Sequence, residues 1–113
     1  RQRAAAEVDD ELRAIVAELY DMIARRRHGI RLLERSVLDW PELAALYHSA
    51  VRLPLFAELA AYLRRRSRQG RLRELPHPDI AARMIVESVA WFALHRHGDP
   101  TAEGIDDRAA AAT

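Results

Sequence analysis

The sequence predicts an all-α fold, a bundle of five to six helices, on three observations. Apolar residues recur at steps of three and four along nearly the whole 113-residue chain, the period of one helix face. Most prolines and glycines fall between these stripes, where helices start and stop. No stretch alternates apolar and polar residues as a half-buried strand does.

Val8, Leu12, Ile15, Leu19 and Ile23 predict a first helix over about 8–27, with Gly29 as a weak point after it. Ile30, Leu33 and Val37 carry a second over about 30–38. In "DWPE", Asp39 can cap the next helix, Pro41 falls in its first turn, and Glu42 takes the capping-box position. Leu43, Leu46, Tyr47 and Ala50 form its stripe, and Pro54 is expected to kink or break it. Phe56, Leu59, Ala60 and Leu63 continue to about Gln69, where Gly70 suits a left-handed helix end. "RLRELPHPD" reads as a loop, Pro78 opens the next helix, and Gly98 closes it. Asp99-Pro100 starts a last helix over about 100–112 with a thin stripe of Ile105, Ala109 and Ala112.

A chain of 113 residues is expected to be one domain, 1–113, large enough for a core of its own. It has no cysteine, which excludes disulfides and thiolate zinc sites. Every basic residue is arginine, and the formal charge of +1 gives no global field to draw the chain to nucleic acid or membrane. No signal segment opens the sequence. The apolar run at 84–94 is far short of the roughly 20 residues a membrane span needs and carries Glu87. The chain therefore reads as cytoplasmic, with no membrane partner.

Catalytic signatures are absent: no phosphate-binding glycine loop, no His-Glu-x-x-His pair, no Gly-x-Ser-x-Gly elbow. His95 and His97, two apart, point to nearly opposite sides of a helix and cannot share a metal. No catalytic residue, metal or cofactor is expected. The basic run "RRRSRQGRLR", residues 64–73, could touch phosphates. Arginines in the last turns of a helix also answer its dipole and open carbonyls, and no aromatics interleave for base stacking, so the structural reading is preferred. "RRR" at 25–27 is read in the same way.

"ARMIVESVAWFALHRHG", residues 82–98, raises a different problem. At 100° per residue, Ile85, Val86, Val89, Phe92 and Ala93 share one apolar face, and Met84, Ser88, Trp91 and His95 share a mixed one. A helix with two faces that avoid water is either central in its own domain or shared with a partner. The economical expectation is a homodimer in which Ile85, Val86, Val89, Phe92 and Ala93 meet their symmetry mates and the Ile105–Ala109–Ala112 stripe. The reverse assignment, with the Trp91 side outward, is compatible with the spacing, and so is a helix wholly internal to a monomer.

Residues 31–100 resemble the C-terminal domain of tetracycline-repressor-like (TetR family) transcriptional regulators. The likeness is carried by the "PELAALY" helix start, by "LAAYLRR" followed by a glycine, by "RLRELPHPDIAAR" entering the long apolar helix, and by "FALHR" near its end. The resemblance implies an all-α domain that binds a small, often apolar effector. It also implies dimerisation through the last two helices as a four-helix bundle. A repressor released from operator DNA by its ligand is the parent protein implied. Such regulators read DNA through an N-terminal helix-turn-helix domain, which has no counterpart before Asp9 in this sequence.

For the effector, Tyr20, Tyr47, Phe56, Met84 and Trp91 are large soft side chains on predicted inner faces, with Ser88 and His95 as polar groups, the usual make-up of a small-molecule pocket. The alternatives are a structural helical interaction module without a cavity, and a nucleic-acid binder acting through 64–73. With near-zero charge and no reading head, the chain alone should fail to bind duplex DNA tightly. A titration at moderate salt should show no sub-micromolar, salt-sensitive binding.

Overall fold

The structure is a computed structural model that describes residues 2–113, with side chains from Ala6 onward. It is all-α, with no strand among the described residues. The helices are α1 (Gln2–Arg25), α2 (Arg27–Ser36), α3 (Pro41–Tyr47), α4 (Leu53–Arg68), α5 (Pro78–Ala90) and α6 (Asp107–Ala112). Two π-helical turns, His48–Arg52 and Trp91–His95, lead into α4 and extend α5.

The first stripe behaves as its spacing predicts: Val8 and Ile23 are buried, with Leu12, Ile15 and Leu19 packed between them. The break before α2 falls at Arg26 rather than at Gly29. Arg26 takes a bridge conformation (φ −104°, ψ 15°), and Gly29 is helical within α2. One glycine weakens a helix by only about 1 kcal/mol, which packing overrides.

Asp39 does not cap α3. Its backbone N–H closes the end of α2 on the Ser36 carbonyl, and Trp40, in extended conformation, takes the cap position without a side-chain bond. Pro54 neither breaks nor sharply ends the helical run. Proline has no N–H to give the carbonyl four residues back. The chain answers with a widened turn, in which the Leu53 N–H bonds the His48 carbonyl five residues back, and Pro54 then sits in the first turn of α4.

Gly70 ends α4 with φ +71°, and the N–H groups of Arg71 and Leu72 both reach the Arg66 carbonyl. Pro78 opens α5 as expected. The expected helix over 100–112 is divided. Asp99 caps a single 3-10 turn, Pro100–Ala102, then Gly104 (φ +98°) reverses the chain, and α6 starts after Asp106, whose carboxylate accepts from the Ala109 N–H at 2.7 Å. Ile105 lies in that turn, outside the helix.

The core has two parts. Leu59, Ala60, Tyr62 and Leu63 of α4 meet Ala82 and Val86 of α5, with Leu12 and Ile15 of α1 against them. Tyr20 and Ile23 of α1 meet Val89, Ala93 and Leu94, with Ile30 of α2 and Ala110 of α6 alongside. Beside the first part, the Tyr62 hydroxyl donates to Glu11 at 2.5 Å, and Arg66 holds the same carboxylate with two bonds of 2.9 Å. Leu63 is almost wholly enclosed. Leu63→Ala should therefore cost about 2–5 kcal/mol of stability by denaturant unfolding, and Leu38→Ala, on the surface, close to nothing.

Candidate functional site

α1 and α4 both pack on one side of α5, and this decides which of its two apolar faces is free. Val86, Val89 and Ala93, expected at a partner surface, are buried with Ala82 in the chain's own core. Within one protomer they are covered by α1 and α4. Ile85 and Phe92 are half-buried, and Ile105, Ala109 and Ala112 are exposed. The outward face of α5 and its extension is the one with Met84 (67% exposed), Ser88, Trp91 (36%) and His95, together with Ile80. In the single protomer the Val86–Val89–Ala93 side is thus the covered one and the Trp91 side the outward one, the reverse assignment that the spacing also allowed. Periodicity reveals that two faces are apolar but not which neighbour takes which.

Between α1 and α5 runs an open apolar groove of about 700 Å³. Val16 and Tyr20 form one wall, Met84, Ile85, Val89 and Phe92 the other, and Ile105 with Ala109–Ala111 covers one end. Its polar groups are few. The Ser88 hydroxyl is spent within the helix, donating to the Met84 carbonyl at 2.7 Å.

Of the residues expected to hold a ligand, Tyr20, Met84 and Ser88 come together in this groove. The others lie elsewhere. Tyr47 is half-buried beside His48, Phe56 lies under the guanidinium groups of Arg52 and Arg83, and Trp91 stands edge-on to Phe92 at 4.9 Å. His95 Nε2 is 3.7 Å from Glu34.

Beyond the covered end, Asp107 receives a set of bonds that sequence reading missed. Arg27 Nη2 donates to both its oxygens at 2.8 and 3.0 Å, the Tyr20 hydroxyl donates at 2.9 Å, and Arg96 donates as well. Arg27 was readable only as one of three arginines at a helix end. Arg96 did carry a signal: it lies three residues after Ala93 and seven after Val89, in phase with the buried stripe of α5. Burial alone would raise the Asp107 pKa, but the bonds from Arg27 and Tyr20 and the two arginine charges outweigh it and hold the carboxyl below its ordinary value. Burial and the bond to Asp107 push the Tyr20 phenol up. Burial, then the charges of Arg27 and Arg96, lower His97.

The basic run at 64–73 is used structurally at several positions. Arg64 pairs with Asp79 and Arg66 with Glu11, and Arg65 and Arg66 both lie over the Tyr62 ring. Among the described residues, no group of three or more His, Asp and Glu side chains is placed to hold a metal ion. No helix among them is long and apolar enough to cross a membrane.

The family model described as "AefR-like transcriptional repressor, C-terminal domain" matches residues 10–112, and the chain belongs to that family of TetR-like regulators. No curated protein and no solved structure matches the chain.

A carboxyl whose folded-state pKa is depressed contributes stability above its unfolded value and loses it as pH falls through the folded one. Acidification below the ordinary carboxylate range should therefore release α6, read as lower protection of amides 107–112 once the intrinsic exchange rate at each pH is divided out. In Asp107→Asn that acid-dependent release should vanish.

Proposed function

We propose that this chain is the effector-binding and homodimerisation domain of a TetR-like transcriptional regulator, a repressor that a small apolar ligand releases from DNA. The observation that carries the reading is the apolar groove between α1 and α5, of a volume usual for small-molecule sites and nearly free of polar groups. DNA recognition is assigned to a helix-turn-helix domain of the parent protein. The effector sits against Tyr20, Met84, Ile85 and Phe92, and the partner copy meets the outward face of α5 with Ile80, Met84 and Trp91, together with Ile105 and the exposed alanines of α6. Large apolar side chains exposed along one helix face favour such a self-complementary two-fold contact.

Calorimetric melting against a chemically diverse apolar library tests the effector. At least one compound should raise the midpoint in a concentration-dependent way. If none does, the structural interaction module without a ligand is the better reading. Sedimentation tests the dimer: the wild type should be dimeric at micromolar concentration. Met84→Asp should give a folded monomer, because the added charge is solvated until a partner covers it. Val89→Asp should unfold the chain instead, because its charge is buried within the protomer without a partner.

A further inference from the structure

The pairing at Asp107 is unequal in a way that suggests what else it can hold. Each guanidinium is anchored without Asp107: Arg27 Nε donates to the Ala93 carbonyl at 2.6 Å, and Arg96 Nε to the Phe92 carbonyl at 2.8 Å. Their side chains are 18% and 5% exposed, against 46% for Asp107. The cations thus belong to the frame, whereas the anion arrives on a six-residue helix with no buried residue. Two positive charges face one negative. Asp99 and Asp106, the nearby acids, are turned to the N–H groups of Thr101 and Ala109, while Glu103 rims an adjoining hollow. Tyr20 connects this corner to the groove, with its ring in the groove wall and its hydroxyl on Asp107.

We propose that Arg27, Arg96 and the Tyr20 hydroxyl form a carboxylate subsite beyond the covered end of the groove, held by Asp107 in the free chain, and that its external ligand is a monocarboxylic acid with an apolar tail. The inference rests on the effector-binding reading and names the class of ligand. Arg27 reaches both oxygens of Asp107 from the one nitrogen Nη2, and Arg96 and the Tyr20 hydroxyl add charge-assisted donors, a set that any carboxylate in that place would find. The ligand's head group replaces Asp107, its tail lies between Val16, Ile85 and Phe92, and α6 is set loose.

Titration calorimetry of the full chain with decanoate, 1-decanol and decyltrimethylammonium tests this. Decanoate should bind about tenfold more tightly than decanol, as charge-assisted hydrogen bonds to a carboxylate allow, and the cation should not saturate. Asp107→Asn keeps the side-chain shape and removes the competing charge, so decanoate should tighten while decanol is unchanged. Arg27→Gln should bring decanoate down to the level of decanol. Amide exchange over 107–112 should quicken with decanoate and not with decanol. Equal binding of decanoate and decanol to the wild type and to Asp107→Asn overturns the carboxylate subsite and leaves a neutral effector groove standing. No saturable binding of decanoate to either protein overturns it as well, including the case in which a second copy covers the groove. The library measurement then decides the effector reading separately.

Discussion

The close fit of α5 against α1 and α4 is the constraint on which the rest of the chain depends. Ala82 and Ala93 are wholly enclosed at opposite ends of the buried stripe, with Val86 and Val89 between them. Small side chains let neighbouring helix backbones approach, and protein interiors are packed too densely to accept much more volume there. The first half of the stripe meets α4 and the second half meets the far end of α1, so one helix belongs to both parts of the core. Because its core side is fully used, its other face has no intramolecular neighbour to cover it.

The groove and the Asp107 cluster both follow from that arrangement. α6 is too short to shield the space between α1 and α5, and none of its residues is buried. Its attachment relies on polar bonds drawn from the ends of longer elements: Arg27 at the start of α2, Arg96 just past the π turn that extends α5, and Tyr20 in α1. A segment held chiefly by charge and hydrogen bonds at a partly exposed site opens at lower free energy than one held by a core. The apolar frame and the polar fastening thus answer to different conditions, and the fastening lies beside the cavity.

The fold was largely legible, because helical spacing and the chemistry of helix ends are local. The stripe from Val8 to Ile23, the left-handed Gly70, and Pro78 at the start of α5 were each readable from a few neighbouring residues. Local rules overreached where tertiary packing intervened. Gly29 stays helical, and the chain accommodates Pro54 through one wide turn. The site was less legible. Tyr20 and Met84 were identifiable by type, but the partners of Asp107 lie as far as 87 residues away, and no short-range pattern links them. One face of α5 and its extension is wholly apolar and the other mixed, but spacing does not say whether the apolar one meets this chain's own α1 and α4 or a second copy.

Both tryptophans of the chain are at its boundary with water: Trp40 is 65% exposed, at the entrance to α3, and Trp91 is 36% exposed, on the outward side of the helix that organises the core. Most folded domains enclose much of their indole surface, and its release marks unfolding. In the single protomer Trp40 stands mostly in water, while Trp91 keeps about a third of its surface open beside Phe92. Anything that settles on the outward face of α5 dries Trp91 and leaves Trp40 wet, which makes the difference between the two rings a gauge of association.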